Sequence, residues 1–324
     1  MSEEFVLANA RYGKDKVRVL RVVRSGNEDD KAGRHHTVVE YNVTVLLEGE
    51  IETSYTKADN SVVVATDSMK NITYYLAKVS PHILSPERFA MHLGTHIVSK
   101  YAHIKKAFIT VEQLRWSRIV IGPNGQPHGH SFVRDGEDKR LVNVEIDGTS
   151  PSTLLATVTS GLTDLLVLKS TNSSFDSFVR DEYTTLPEVD DRIFSTSVDL
   201  SYVFSKLEIP LPKDEKLLEL LVPESIAEGS VWDEEVKERT RRATLDVFAE
   251  DDSASVQATL YKMAGRILKE NAGIDSVSYA LPNKHYIPVD MRYIDVDNLT
   301  PAKAEVFTPL SAPSGLISAT VKRK

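Results

Sequence analysis

Apolar and polar residues alternate in Ser278-Tyr279-Ala280-Leu281, and the chain then continues through Pro282-Asn283-Lys284-His285-Tyr286. Alternation at every second position predicts a strand with one buried face, and Pro followed by Asn is typical of a turn. We therefore expect a strand that ends at a turn and presents an amide, a cation and an imidazole together. Such a group of polar tips is a candidate site, although an ordinary turn followed by a solvated histidine accounts for the same residues.

The composition is that of a soluble globular protein, with 41% hydrophobic and 27% charged residues in a chain of 324. This length fits two ordinary domains or one large one. A net charge of −8 argues against a nucleic-acid surface over the whole molecule, and it still allows a basic lining around an anionic small ligand. The absence of cysteine excludes disulfides, thiolate catalysis and cysteine metal sites, and it is compatible with a reducing compartment. Without a signal peptide or a run of about 18 apolar residues, we expect neither secretion by the usual route nor a membrane span.

The first half of the chain predicts the order strand, strand, helix, helix, strand, strand. Thr66 or Asp67 is expected to cap the first helix, and Ser85-Pro86-Glu87 carries the cap, proline and acid of a second helix start. The other predicted elements are strands at 17–23 and 38–47 around a polar turn at 25–34, and strands around 107–121 and 141–146 joined by a Gly/Pro/His loop.

The second half repeats this order of elements, so we predict an α+β fold with an internal duplication. Gly148-Thr149-Ser150-Pro151-Ser152 interrupts the pattern and gives domains at 1–150 and 151–324. The predicted elements are strands at 165–168 and 193–204, helices at 233–250 and from 253 or 255, and strands at 277–281, 286–289 and 316–321. Residues 204–231 are expected to form a surface insertion with some helix.

Two places combine polar groups with a strand end or a helix start. Lys14 follows Tyr12-Gly13 at the beginning of a strand, where an amine could move protons, and a surface lysine is the alternative. Thr66-Asp67 could hold an anion with a hydroxyl and the free N–H groups of a helix start. Simple capping of the helix explains the same two residues.

The second half offers three further candidates for binding a flat ligand. Arg192 could make a two-pronged bond to a planar anion, or a salt bridge with its neighbours. Val256-Gln257 lies in the first turn of a helix, where Gln257 either meets a ligand or is solvated. Phe175, set among serines and Asp176, is a platform for a flat ring or a stray loop aromatic.

His128-Gly129-His130 has the spacing of a metal pair. No third histidine or acidic ligand stands near it in the sequence, and His35-His36 is a weaker pair in a polar turn. No Gly-rich phosphate loop, GxSxG elbow or HExxH helix occurs. We therefore expect no metal site.

Several blocks of this sequence together resemble the urate oxidases (uricases), most closely the fungal enzymes. They occur in the family order over nearly the whole chain. The blocks include Tyr12-Gly13-Lys14-Asp15, Ala65-Thr66-Asp67-Ser68, Arg180-Asp181-Glu182-Tyr183, Asp191-Arg192-Ile193, Ser255-Val256-Gln257-Ala258 and Leu281-Pro282-Asn283-Lys284-His285.

The resemblance implies two tandem tunnelling-fold (T-fold) units, with antiparallel sheets and helices on one face, that form a barrel on oligomerisation. It implies a homotetramer with active sites at subunit interfaces, and no nucleic-acid or membrane partner. The implied reaction is the oxidation of urate with O2 and water to 5-hydroxyisourate and hydrogen peroxide in purine degradation. No cofactor is expected.

The resemblance also implies the roles of the catalytic residues. Lys14 and Thr66 correspond to the pair that relays protons from urate, and His285 continues the relay. Thr66 also contacts urate, and with Asn283 it holds O2 or water above the ring.

Further residues are implied to bind the substrate. Arg192 and Gln257 grip one edge of urate, Phe175 stacks on the ring, and the backbone N–H groups of Val256 and Asp67 donate hydrogen bonds. Lys14, Thr66 and Asp67 are expected from one subunit, and the other site residues from its neighbour.

Three features depart from the fungal pattern, the first of which is a longer connection between Phe204 and Val231 that is expected to lie on the surface. Asp176-Ser177 replaces an aromatic–glycine pair, which is expected to change how the stacking loop is braced. The final residues Val321-Lys322-Arg323-Lys324 lack the S-K-L type signal of fungal uricases. The family implies a peroxisomal protein, and the cytoplasm is the other location that the sequence allows.

A non-catalytic T-fold protein that binds a purine or pterin is the alternative function. It predicts tight binding without oxygen consumption, and the presence of Lys14, Thr66 and His285 argues against it. A metal-dependent T-fold enzyme of the pterin-forming kind would need cysteine or clustered histidine ligands, and the chain has no cysteine.

Overall fold

The chain divides into two compact units in the computed structural model, which describes residues 5–25, 34–222 and 235–324. Unit 1 comprises Met1–Gly161 and Val203–Trp232, and unit 2 comprises Leu162–Tyr202 and Asp233–Lys324. Each unit contains antiparallel strands and helices, so the predicted α+β class is confirmed. The domain division at residues 150 and 151 stays a prediction.

The described elements repeat the order of two strands, two helices and two strands, as the sequence predicted. The strands are β1 Tyr12–Ser25, β2 His35–Gly49, β3 Ile104–Leu114, β4 Ser117–Ile121, β5 Gln126–Val133, β6 Lys139–Asp147, β7 Thr153–Lys169, β8 Phe194–Phe204, β9 Leu207–Pro210, β10 Ile274–Pro288 and β11 Phe307–Lys322. The α-helices are α1 Glu52–Thr56, α2 Thr66–Val79, α3 Pro86–Lys100, α4 Val236–Glu250 and α5 Val256–Glu270.

The strands of unit 1 have the order β1-β2-β3-β6-β7, with β9 beside β7. Alternate side chains of β2, such as Val43 and Val45, are buried, and α3 adds Phe89 to the same core. Ser85 caps α3 by accepting an N–H group and Pro86 is the first helical residue, so the predicted start of this helix is confirmed. The predicted polar turn at 25–34 lies outside the described residues between 26 and 33.

The strands of unit 2 are the second part of β7, followed in order by β8, β10 and β11. Helix α5 packs on β10 and β11, and α4 packs on α5. Ser255 caps α5, as one of the two predicted positions, by accepting the N–H of Ala258 at 3.1 Å. Arg323 follows β11 and donates to the carbonyls of Leu268 and Asn271 at the other end of α5.

The turn predicted at Pro282-Asn283 is wrong, because β10 continues through it to Pro288. Residues of β10 pair with β11 from Ser276 opposite Lys322 to Pro288 opposite Phe307, and the register shifts only between Asn283 and His285. A long partner strand thus outweighs the local turn preference of Pro followed by Asn, and the polar tips lie along a strand.

Two predicted loops also contain strands. The Gly/Pro/His stretch is the β4–β5 hairpin, whose turn uses Gly122 and Gly125 at φ of +71° and +63°. In the predicted insertion at 204–231, β9 pairs with β7, and Leu207 and Ile209 are buried. Strand β9 therefore belongs to the core of unit 1, whereas Lys213, Glu215 and Lys216 further along are exposed. Residues 223–231 lie outside the described part, as does the start predicted for α4 at residue 233.

A buried histidine of α3 is expected to make unit 1 sensitive to acid. His92 is almost fully buried with Nδ1 2.8 Å from the Ser80 hydroxyl, and burial, together with the nearby His82 and His96, lowers its pKa from 6.5 to about 4. As the pH falls from 6.5 towards 4, the unfolded chain takes up a proton that the folded chain does not bind. We expect a loss of about 3 kcal/mol in the free energy of unfolding over this window, measured by urea unfolding.

The variant His92→Gln should show a weaker dependence of stability on pH over the same window. His35→Gln is the matched control, because His35 is an exposed histidine of the same unit. Parallel pH curves for the parent and His92→Gln would contradict this prediction.

Candidate functional site

A bulge in β1 sets the position of Lys14. Lys14 pairs with Val45 of β2, and the register shifts between Lys14 and Val17, where Lys16 has a φ of +52°. An extra residue of this kind bends a strand and re-aims the side chains beside it. The two backbones approach closely here, because a Cβ on Gly13 would lie 1.8 Å from the Val45 carbonyl oxygen. Only glycine therefore fits at position 13. The Lys14 side chain that follows it is half-buried.

Helix α2 begins without a side-chain cap, which corrects the prediction that Thr66 or Asp67 caps it. Ala65 occupies the cap position, Thr66 is the first helical residue and Asp67 is the second. Because a methyl group accepts no hydrogen bond, the first N–H groups of α2 remain available to a ligand or water. The Tyr12 hydroxyl accepts the Val64 N–H at 2.7 Å and so holds β1 beside this helix start.

Lys14 and the start of α2 interact electrostatically. The Asp67 carboxylate accepts hydrogen bonds from Lys70 at 2.6 Å and from Asn71 at 2.9 Å. The bond from Lys70 lowers the pKa of Asp67 most, and the charge of Lys14 lowers it further. The Asp67 carboxylate is thus bound to Lys70 and Asn71 further along α2, while the backbone N–H of Asp67 lies in the uncapped first turn.

Arg192 of unit 2 is a half-buried cation without an anionic partner among the described residues. Its guanidinium carbon lies 5.1 Å from the centroid of the Phe175 ring. Burial lowers the pKa of Arg192, which means that its charge is held at a cost in free energy. The salt bridge considered as the alternative is not formed with Asp191, whose carboxylate instead accepts the Thr171 hydroxyl at 2.7 Å. A bound anion would offset the cost of the buried charge.

Phe175 lies in a loop that is fixed by backbone hydrogen bonds. Its N–H donates to the Val189 carbonyl at 2.8 Å, and the Val189 N–H donates back at 3.1 Å. Phe178 stacks on Phe175 with ring centroids 4.9 Å apart and planes 12° apart. Ser177 between them has a φ of +55°, which glycine adopts without strain. Ser177 therefore adopts a conformation suited to glycine, and the glycine expected in its place from the resemblance stays a prediction.

Helix α5 presents Val256 and Gln257 in its first turn, as predicted. The first N–H groups of a helix have no intrahelical acceptor, and the Ser255 hydroxyl serves only that of Ala258. The N–H groups of Val256 and Gln257 therefore remain available. The Val256 side chain is buried and Gln257 is exposed. Ser253 just before the cap bonds to the loop of Phe175, so the helix start and the ring are joined.

Asn283 and His285 stand on either side of the register shift in β10. Asn283 pairs with Gly315 of β11, and His285 pairs with Leu310. Asn283 is 9% exposed, and its side-chain amide has no hydrogen-bond partner among the described residues. The amide therefore offers a donor and an acceptor to a ligand or water beside it.

The predicted site residues fall into two groups. Unit 1 holds Lys14, Thr66 and Asp67, and unit 2 holds Phe175, Arg192, Val256, Gln257, Asn283 and His285. Sequence reasoning missed Tyr12, Asp191 and Ser253, which hold these groups in place. Tyr12 and Asp191 adjoin candidate residues in the matching blocks, which was the available signal, whereas the sequence marked Ser253 only as a possible helix start.

The histidine pair of β5 stays apart from these groups in the sequence. The rings of His128 and His130 lie 4.5 Å apart, and the ring of His36 lies 6.0 Å from that of His130. In the described ranges, no group of three His, Cys, Asp or Glu side chains is arranged to hold a metal ion. None of the described helices is long and apolar enough to cross a membrane.

Comparison with known proteins identifies the family. The uricase family model matches residues 10–145 and 158–318. The uricase of Emericella nidulans is 48% identical over 319 residues, covering 98% of this chain and 97% of that protein, and the uricase of Schizosaccharomyces pombe is 40% identical over 326 residues, covering 100% of both. The crystal structure of uricase from Arthrobacter globiformis matches with a TM-score of 0.80 and 31% identity, covering 99% of this chain and 96% of that one. These matches confirm the resemblance seen in the sequence blocks, and the chain belongs to the uricase family.

Proposed function

We propose that this chain oxidises urate with O2 and water to 5-hydroxyisourate and hydrogen peroxide in purine degradation, without a cofactor. As a member of the uricase family, the chain is an oxidoreductase that acts on urate. The observation that carries the site assignment is the half-buried Arg192 guanidinium beside Phe175, which lacks an anionic partner among the described residues. The peroxisome, implied by the resemblance to fungal enzymes, is the proposed location.

A flat purine anion fits the groups of unit 2. Arg192 donates two parallel hydrogen bonds to one edge of urate, and the Gln257 amide both donates and accepts beside it. The purine ring stacks on Phe175. The N–H groups of Val256 and Asp67, each in the first turn of a helix, donate to the remaining acceptors at the end where the helix dipole favours negative charge.

Lys14 and Thr66 are proposed to remove protons from urate. Thr66 is the first residue of α2, and the charge of Lys14 reaches the residue after it. The ammonium and the uncapped helix start both lower the cost of negative charge on the Thr66 oxygen. In this relay the free amine of Lys14 takes the Thr66 hydroxyl proton and becomes the ammonium, the resulting Thr66 alkoxide takes a proton from urate, and the proton on Lys14 passes on to His285.

Asn283, together with Thr66, is proposed to hold O2 or water against the ring. The unpartnered amide of Asn283 provides both a donor and an acceptor for this purpose. Urate gives two electrons to O2, which takes up two protons and leaves as hydrogen peroxide, while water supplies the oxygen added to the ring. Because the ionised purine is itself the electron donor, the tasks left to the protein are binding, deprotonation and positioning.

We propose a homotetramer with the active sites at subunit interfaces. Among the described strands, β1 pairs only with β2 and β11 pairs only with β10. These edges are 14 and 16 residues long, and long unpaired edges are templates for pairing with another chain. Edge pairing between subunits closes the sheets into a barrel and supplies residues of unit 1 from one subunit to those of unit 2 from its neighbour.

Replacing Leu20 by lysine is expected to weaken this assembly. Leu20 lies on the edge strand β1 and is 59% exposed, and lysine on an edge opposes strand pairing. At about 1 µM subunits, most of the variant should sediment below the tetramer, and urate oxidation should fall with the tetramer fraction. Tyr261→Lys, at an exposed position of helix α5, is the control and should remain tetrameric. A tetrameric and fully active Leu20→Lys protein would argue against pairing through this edge.

The test of the reaction is the loss of the urate ultraviolet band in air-saturated buffer that contains a chelator and no added cofactor, with peroxide followed in parallel. We expect one peroxide for each urate lost. Urate binding without oxygen consumption would support the non-catalytic purine-binding alternative. A requirement for added metal or flavin would overturn the cofactor-free reaction.

A further inference from the structure

A buried polar cluster lies directly behind the start of α5. The Thr259 hydroxyl donates to the Asp251 carboxylate at 2.7 Å, and Thr259 Oγ1 also lies 2.8 Å from Ser253 Oγ. Thr259 and Ser253 are fully buried, and the Asp251 side chain is nearly so. Burial raises the pKa of Asp251, but hydrogen bonds from Lys262 and Thr259 outweigh this effect and bring it below its usual range. Asp251 is therefore a charged anchor for the hydroxyl of Thr259.

The same cluster holds the loop of Phe175. The Ser253 N–H donates to the Asn172 carbonyl at 3.0 Å, and the Ser174 N–H donates to the Ser253 carbonyl at 2.8 Å. These two bonds form a short parallel bridge just before Phe175. The position of the Ser253 backbone thus sets where the loop begins, and Thr259 and Asp251 set the position of Ser253.

Lys169 of β7 fixes the far side of the cluster. Its ammonium donates to the Phe248 carbonyl at 3.3 Å and to the Asp251 carbonyl, at the end of α4. A cation at a helix C-terminus satisfies carbonyls that lack intrahelical partners. Lys169 thus holds the backbone carbonyl of Asp251, and Lys262 holds its carboxylate. Asp251 therefore has little freedom to move.

We propose that Thr259, anchored by Asp251, is a positioning residue that fixes Phe175 relative to the first turn of α5, and so sets the affinity for urate. The inference rests on the proposed function. Thr259 lies one turn after Val256, so it faces the cluster while the first turn presents Val256 and Gln257. Because the ring and the donors of α5 must meet one rigid substrate together, loosening the bridge at Ser253 costs binding more than chemistry.

The test replaces Thr259 by valine, which keeps the shape and deletes the hydroxyl. We expect about a tenfold rise in the urate dissociation constant measured without O2 and in KM, with kcat within about threefold of the parent. Thr259→Ser keeps the hydroxyl and should restore affinity to within about twofold. Thr244→Val is the matched control, because Thr244 is equally buried on α4 and bonds to the Tyr279 hydroxyl at 2.6 Å. It should leave urate affinity unchanged.

Amide hydrogen exchange gives a second readout that does not depend on urate. The N–H groups of Ser174 and Phe175 should exchange faster in Thr259→Val than in the parent or in Thr244→Val, because their bonds to Ser253 and Val189 loosen. Equal protection in all three proteins, or an equal loss of affinity in both valine variants, would overturn the positioning role. A parent protein that neither binds nor oxidises urate would overturn the proposed function instead, and amide exchange would still decide whether Thr259 fixes the loop.

Discussion

Replacing Arg192 by alanine is expected to raise the dissociation constant of urate by at least about 100-fold, while kcat at saturating urate falls far less. Hydrogen bonds to charged groups contribute about 1.5–3 kcal/mol each, and Arg192 is assigned two of them. Both bonds exist in the substrate complex as well as in the transition state, so their loss acts mainly on binding. Equilibrium dialysis without O2 measures binding, and peroxide formation in air measures turnover.

The same substitution is expected to leave the fold at least as stable as that of the parent. Arg192 is half-buried, and its charge has no anionic partner among the described residues. Removing the guanidinium therefore removes a desolvation free energy that no interaction in the folded chain offsets. Arg180→Ala is the control, because Arg180 lies in the same unit, 5.3 Å from the Phe178 ring, and donates to the Leu186 carbonyl at 2.8 Å. A lower unfolding midpoint with unchanged urate binding would assign Arg192 to the fold rather than to the substrate.

Local sequence signals predicted the helices of this fold better than its strands. Ser85 and Ser255 act as caps because a serine hydroxyl serves the N–H groups within its own turn, which is a purely local effect. Strand ends depend on partners distant in sequence. Pro282-Asn283 stays in β10 because β11 pairs with β10 on both sides of the register shift that follows Asn283, and no local pattern near residue 282 reveals that partner.

The sequence predicted the residues proposed to contact urate, but it did not predict the residues that hold them in position. Periodicity left Arg192, Gln257 and Phe175 with ordinary alternatives, and only the resemblance to uricases selected them together. The bridge from Ser253 to Ser174 joins residues 79 positions apart, so a single sequence does not show it. At the start of α2 a local prediction failed instead. Ala65 stands at the cap position, the expected side-chain cap is absent, and the first N–H groups of α2 are available to an anion.

Charge is arranged for an anion although the chain as a whole is acidic. The net charge is −8, yet the candidate residues include two cations, Lys14 and Arg192, and two helix starts with available N–H groups. Helix dipoles and half-buried cations act over short distances, where solvent screens them least. We therefore expect these local groups, rather than the net charge of the surface, to set the affinity for urate.

The substitutions Thr66→Ala and Lys14→Met are each expected to lower kcat by about 100-fold or more, with urate affinity within severalfold of the parent. Thr66 stands first in the uncapped α2, and Lys14 is held beside that helix start by the bulge of β1 and the bond from Val64 to Tyr12. Both residues are assigned to proton removal, which is a change made in the transition state, so their loss acts on turnover. Stopped-flow oxidation of saturating urate measures the effect.

The double variant Thr66→Ala with Lys14→Met is expected to be about as slow as either single variant, because a pair that relays one proton fails as a unit. Lys16→Met is the matched control, since Lys16 is an exposed cation in the same bulge and should keep its kcat. Losses that multiply in the double variant would show that the two residues perform separate tasks. A loss of urate affinity large enough to explain the slow turnover would move both residues from proton relay to substrate binding, leaving the deprotonation step to His285 on β10.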